Sequence, residues 1–140
     1  MSFILTNNAI NNQPIFDYKH VGLEFSKYYY NMFSSQGLQN LSNLYDLNAL
    51  ITFLEEECIG FVALNQKMSN LGINKMLFNN LIGTTQPHQD DSVLLNVTGE
   101  CAVSINNSGV PIWGKFNDVF ILTLINGNWI IKQHIFKIIN

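Results

Sequence analysis

Apolar residues first recur at helical spacing in Val21, Phe25, Tyr28 and Met32, steps of four, three and four that line one face, with Asp17 placed to cap; a first helix is expected from Asp17 to about Phe33. Ser34-Ser35-Gln36-Gly37 interrupts it, and Leu38, Leu41, Leu44 and Tyr45 mark a short second helix running into Asp46. Ala49–Leu54 reads as a strand and Glu55-Glu56-Glu57 as the loop after it. Gly60 then opens a third helix, whose Phe61, Leu64, Met68 and Leu71 form an apolar stripe that Gly72 ends. Beyond it the period changes to two. Met76–Thr85 reads as a strand with a bulge at Asn79-Asn80, Gln86–Ser92 as a turn, Val93–Ile105 as a strand and Asn106–Gly109 as its turn. The chain ends in a long hairpin, Phe116–Ile125 and Trp129–Ile139 around Asn126-Gly127-Asn128, because Asn-Gly supplies the two positive-φ positions of a type I′ turn.

The last strand decides more than its own conformation. Strict alternation puts Trp129, Ile131, Gln133 and Ile135 on one face and Ile130, Lys132, His134, Phe136 and Ile138 on the other, so neither face is polar. Helices are expected against one face, and a ligand or a second copy of the chain against the other. The set Trp129, Ile131, Gln133 and Ile135 is assigned to that second, dimer-forming face. The resulting layout is α+β, three helices segregated onto one side of a strongly bent antiparallel sheet. Residues 1–16, Asn-rich and without a period, read as a flexible N-terminal arm docked through Phe16, and residues 17–140 as a single domain.

Composition narrows the function classes. A chain of 140 residues, 47% hydrophobic and 12% charged, can bury one core and is too short for two. All seven basic residues are Lys, scattered singly, with a net charge of −3, so neither a phosphate cradle nor a nucleic-acid stripe is present. Cys58 and Cys101 lack CxxC spacing and fit reduced thiols in a cytosolic or nuclear compartment. No apolar run suffices for a membrane span, and Phe3-Ile4-Leu5 is too short for a signal-peptide core.

Val21-Gly22-Leu23-Glu24-Phe25, Tyr28-Tyr29-Tyr30, Met32-Phe33, Leu44-Tyr45, Leu50-Ile51-Thr52-Phe53, Gly60, Gln86-Pro87, Asp91-Ser92-Val93-Leu94, Val97-Thr98-Gly99, Phe116, Phe120-Ile121-Leu122, Asn128-Trp129 and Ile135-Phe136 follow one another in the order and spacing of the nuclear transport factor 2 domain. The sequence resembles that family over about residues 18–140. The resemblance implies a cone, a bent sheet wrapped round a long helix and dimerised through its open face. It also implies a non-enzymatic transport factor of the nucleus and cytoplasm, acting at the nuclear envelope and pore without a cofactor. The partners implied are a second copy or a larger NTF2-domain protein, phenylalanine-glycine (FG) nucleoporins, and a cargo or partner that is either the GDP form of the small GTPase Ran or a messenger-RNA export receptor. Stress-granule proteins with this fold bind phenylalanine-containing peptides, an alternative role as a scaffold.

Carried onto this chain, the family's Ran-binding cavity would be lined by Phe53, Leu71, Met76, Asn96, Cys101, Ile135 and Phe136, with Glu55 and Glu56 as its acidic contact. The family's acidic loop between the central strands is replaced by Ser104-Ile105-Asn106-Asn107-Ser108-Gly109, which removes most of the steering toward a basic partner. Ran binding is therefore expected to be absent or weak.

Related cones also host isomerases and dehydratases, which move a proton with an interior carboxylate or imidazole. The candidates are Asp118 and His134, with a tyrosine from Tyr28–Tyr30 or Tyr45. Glu100 shares a side with Asn96, Thr98 and Ala102, opposite the apolar row, and is assigned to solvent. Asp118 and His134 are expected not to face each other inside the cone. Their contact at the bottom of a closed pocket would favour an enzyme. His88, Asp90 and Asp91 match metal ligands by type alone and sit in a turn beside Pro87, so no metal is expected.

Overall fold

The computed structural model describes the backbone of residues 3–7 and, in full, residues 17–73, 75–103 and 111–139. Its elements are β1 (Phe3–Asn7), α1 (Tyr18–Ser35), a 3-10 segment (Leu38–Leu44), β2 (Tyr45–Phe53), β3 (Glu56–Ile59), α2 (Phe61–Asn70), β4 (Met76–His88), β5 (Ser92–Val103), β6 (Ile112–Ile125) and β7 (Asn128–Ile139). The strands form one seven-stranded sheet in the order β1-β4-β5-β6-β7-β2-β3. The central meander is antiparallel, as its turns require, whereas β2 joins β7 and β1 joins β4 in parallel.

Asp17 caps α1 by accepting from the His20 N–H at 3.2 Å, one turn into the helix. The buried face of α1 is Tyr18, Phe25, Ser26, Tyr29, Tyr30 and Phe33, rather than a stripe through Tyr28, which is 45% exposed. Gly22 lets the helix lie directly on β4, since a Cβ there would collide with the Thr85 side chain. Around this helix the concave side of the sheet supplies Tyr45, Ile51, Phe53, Met76, Leu95, Val97, Cys101, Phe116, Phe120, Leu122, Ile131 and Phe136, all buried in a single core. Aromatic rings fill it edge to face and stacked, with Phe25 on Phe120 at 5.4 Å and Phe53 on Phe136 at 4.4 Å. Each such pair contributes about 0.5–1.5 kcal/mol beyond area burial.

Several sequence expectations change. Residues 3–7 form a strand of the sheet, where an arm was expected; the expected docking of Phe16 and the turn Asn106–Gly109 lie outside the described residues. The short second helix is 3-10 in form, and Tyr45 already belongs to the strand expected from Ala49. Glu55-Glu56-Glu57 is not a loop: Leu54 and Glu55, at φ 51° and 70°, make a tight turn and Glu56 starts β3, paired to Phe53. The strands on either side of Gln89-Asp90-Asp91 reach inward to His88 and Ser92, because His88 pairs Ser92 across a short turn with Asp90 at φ 55°. The bulge at Asn79-Asn80 is present, Asn80 adopting φ 52°.

The main correction concerns β7. Ile121 pairs with Gln133 and Leu122 with Ile131, so Lys132 is an extra residue, a bulge that reverses which face each side chain takes. Ile131 consequently joins His134 and Phe136 inside, at 0% exposure, and leaves the set assigned to the dimer face. Trp129 also turns inward and packs against the core. Gln133 and Ile135 remain outside. An ion pair from Lys132 to Asp46 at 3.2 Å holds the bulged residue against a matching irregularity in β2.

Candidate functional site

Inside the cone, the sheet brings polar groups together in an apolar surrounding. Asp118 on β6 and His134 on β7 lie in adjacent strands on the inner face, and the Nε2 of His134 stands 2.6 Å from the Asp118 carboxylate. An ionised carboxylate only accepts, so this ring nitrogen donates. The other Asp118 oxygen accepts from the Tyr30 hydroxyl of α1 at 2.7 Å. The His134 Nδ1 meets the Tyr45 hydroxyl at 2.9 Å, and Tyr45 in turn meets the Tyr29 hydroxyl at 3.3 Å. The expectation that Asp118 and His134 stay apart is thus overturned. Two-residue periodicity placed both on strands of the closing hairpin, but the bulge at Lys132 is what sets His134 beside Phe120 and across from Asp118.

Burial governs the chemistry of this chain of groups. Desolvation pushes the hydroxyls of Tyr29 and Tyr30 well above the ordinary phenol range, with further contributions from Tyr45 and Asp118 respectively, and raises Tyr45 as well. The phenols therefore stay protonated and serve as donors. The Cys101 thiol is pushed up to about 12, first by burial and then by the Asp118 charge. The imidazole of His134 is stacked on Phe120 at 4.3 Å and flanked by the Tyr29 and Phe53 rings. Asp118 and His134 are 1% and 0% exposed, so solvent and substrate alike are kept from the reactive atoms.

The family-derived cavity is only partly assembled. Phe53, Met76, Cys101 and Phe136 share the core, where the Phe53 and Phe136 rings stack on each other. Leu71 lies 48% exposed after α2, and Ile135 is 41% exposed on the outer face. Asn96 also faces outward, where the Asn117 amide donates to it at 2.7 Å. Glu55 occupies the β2–β3 turn and Glu56 pairs with Lys67 of α2 at 3.2 Å, both exposed. Glu100 is half-buried and accepts from the Asn80 amide. His88 closes β4, and the Asp91 carbonyl accepts from the Leu124 N–H, so the turn is used to tie the hairpins together.

Two surface features lie outside the core: the apolar sheet face expected from the last strand, and a groove that sequence reasoning missed. The outer face of the sheet exposes Leu50 (53%), Ile59 (62%), Ile82 (44%) and Ile135 (41%), with Leu94, Val119 and Ile121 half-buried between them. A groove of about 710 Å³ runs along it over β2, β3 and β7, lined by Leu50, Thr52, Glu57, Ile59, Gln133 and Ile135 among others. A second groove, about 520 Å³, separates α1 from the tip of the β6–β7 hairpin, with Val21, Glu24, Phe25 and Tyr28 on one wall and Leu44, Trp129 and Ile130 on the other. Tyr28, expected on the buried stripe, turns to this groove because Tyr29, Tyr30 and Phe33 take the inner face of α1.

Comparison with known proteins agrees with this architecture. The sequence profile of the nuclear transport factor 2 (NTF2) domain matches residues 21–138. The chain is 28% identical over 123 residues to nuclear transport factor 2 of Candida albicans, covering 87% of this chain and 95% of that one. Its fold superposes on nuclear transport factor 2 of Cryptosporidium parvum with a TM-score of 0.73 at 24% identity, over 94% of this chain and all (100%) of the other. A Novosphingobium aromaticivorans protein assigned as a scytalone dehydratase shares the fold with a TM-score of 0.71 at 8% identity, over 87% and 85% of the two chains. Fold alone therefore spans binding proteins and enzymes, but the sequence match over most of the chain does not divide in that way: this protein belongs to the nuclear transport factor 2 domain family.

Proposed function

We propose that the protein is a non-enzymatic transport adaptor of the nuclear transport factor 2 type. It works as a dimer, homomeric or with a larger NTF2-domain protein, and moves between nucleus and cytoplasm by touching FG nucleoporins at the pore. The observation that carries this reading is the apolar outer face of β2, β6 and β7, centred on Leu50, Val119, Ile121 and Ile135, which a monomer would leave in water. The contact between Asp118 and His134, which would favour an enzyme at the bottom of a closed pocket, lies instead in the packed core at 1% and 0% exposure. His134 borders the outer groove but Asp118 borders neither groove, so a substrate held in either does not meet the carboxylate that general acid–base chemistry would need. Sedimentation is the test: a clean monomer of 15.9 kDa at micromolar concentration would sink the reading. Binding to the GDP form of Ran is absent or weak, since Phe53, Met76 and Phe136 are closed by their own packing and Glu56 is already paired. A low-micromolar complex by calorimetry would contradict that.

A second reading, a peptide-binding scaffold of the stress-granule type, is favoured by the groove between α1 and the hairpin tip. Its aromatic and aliphatic walls, Phe25, Tyr28, Leu44 and Trp129, suit a phenylalanine side chain. In a Trp113→Phe background Trp129 is the sole indole, and quenching or enhancement of its fluorescence by a phenylalanine-containing peptide, abolished by Tyr28→Ala, would establish this use. An unchanged spectrum at saturating peptide would exclude it.

A further inference from the structure

The sheet has two edges, and they are built differently. On one side β3 is four residues long, begins Glu56-Glu57, and is tied to α2 through the Glu56–Lys67 ion pair, features that deter a further strand. On the other side β4 is long, and its outward edge over Leu81–Thr85 is paired, among the described residues, with β1. We propose that this β4 edge is a strand-acceptor site, filled in the free chain by its own β1, and that it takes in β1's place an extended peptide of the same pattern laid parallel to β4.

The site has defined ends. The bulge at Asn79-Asn80 breaks the β4 edge just before Leu81, with Asn80 at φ 52° and its amide on Glu100. Pro87, which has no N–H, ends the hydrogen-bonding run on the other side. Between these limits the register is Phe3 opposite Leu81, Ile4 opposite Ile82, Leu5 opposite Gly83, Thr6 opposite Thr84 and Asn7 opposite Thr85. By residue type, the paired positions are thus apolar at the start and polar at the end. Leu81 is buried and Ile82 is 44% exposed, so both faces of the acceptor strand begin with an aliphatic neighbour for an incoming residue. Backbone bonds would supply affinity, and these cross-strand pairs the preference for three apolar residues followed by two bearing a hydroxyl or amide.

The occupant is a short edge strand that touches β4 and α1. It is parallel, five residues long and at the end of the strand order, so its release costs a fraction of global unfolding and leaves a row of unpaired N–H and C=O groups. Exchange of β1 for a strand from another polypeptide follows from that imbalance. It does not depend on the transport reading.

The probe is a fluorescein-labelled peptide of residues 1–9, titrated by anisotropy against the unmodified chain, a chain beginning at Asn8, and the full chain carrying Leu5→Pro. Saturable binding is expected to both opened chains and to be at least about tenfold weaker to the unmodified one, whose own strand leaves the edge free in a tenth or less of molecules. The peptide carrying Leu5→Pro should not bind. Amide exchange at Leu81–Thr85 should accelerate in the opened chains and slow again with peptide. Equal binding to all three chains, no binding to a folded opened chain, or binding of the Leu5→Pro peptide would overturn the proposal. So would failure of both opened chains to fold by circular dichroism, since β1 would then be an integral strand rather than an exchangeable one.

Discussion

Ile131 and Ile135 stand four residues apart on β7, and the same substitution should have different consequences at each. Ile131→Glu puts a charge into a fully buried site between Leu122 and Tyr45 and should cost about 3–5 kcal/mol, visible as a collapse of the urea midpoint. Ile135→Glu leaves the fold within about 0.5 kcal/mol but disrupts the proposed dimer, so it should appear in sedimentation and hardly at all in the urea melt. The sequence places both residues on one face because alternation carries no mark of where a bulge lies. Lys132 is the extra residue, and the partner its side chain reaches, Asp46, is distant in the chain. A second residue-scale outcome concerns alkaline pH. Cys101 ordinarily titrates at 9.0 and is pushed up to about 12 in the fold, so between those values the unfolded chain has lost a proton that the folded one keeps. Stability should then be flat below about pH 9 and fall above it by up to about 1.4 kcal/mol per pH unit, more steeply beyond about pH 10 as the buried phenols Tyr29, Tyr30 and Tyr45 add the same sign. Urea midpoints from pH 8 to 10 for the parent and Cys101→Ala test this: the variant should lose roughly half of the fall between 9 and 10, the buried phenols supplying most of the rest.

At the scale of elements, the hairpins were legible where the turn residues announce themselves. Asn126-Gly127 at φ 51° and 80° makes the turn that Asn-Gly predicts, and Gly60 and Gly72 bound α2 as expected. The β2–β3 turn uses the same left-handed backbone at Leu54 and Glu55, residues that carry no such signal, and so β3 was read as a loop. That mismatch is measurable. Glu55 is exposed at φ 70°, a region that costs an ordinary L-residue about 1–2 kcal/mol, and Glu55→Gly should raise stability by about 0.5–1 kcal/mol after the added flexibility of the unfolded chain is subtracted. A thermal melt with no gain would mean that the turn draws compensation from its neighbours. β1 was illegible for another reason: five residues in an Asn-rich stretch show no period, and only the open edge of β4 organises them.

For the whole molecule, the question is what a polar chain in the middle of the core is for, when the surface carries the features of a binding protein. Tyr30, Asp118, His134, Tyr45 and Tyr29 link α1, β2, β6 and β7, the elements that close the cone, and each hydrogen bond joins residues far apart in sequence. A fully satisfied buried network of this kind fixes how the helix seats on the sheet, since any other seating strands a carboxylate in apolar surroundings. Its role is therefore tied to the fold. Asp118→Asn keeps the shape but removes the charge that the Tyr30 hydroxyl and the His134 ring both serve, and should destabilise by about 2–4 kcal/mol. In a chain still folded at low temperature, binding of an FG peptide should change by less than about 1 kcal/mol, because both grooves are lined by other residues. Urea melts paired with calorimetry on the same sample separate the two effects. Loss of peptide binding in a variant whose fold and dimer are intact would tie the interior to the surface sites, and the cone would have to be read as a transmitting structure rather than a closed support.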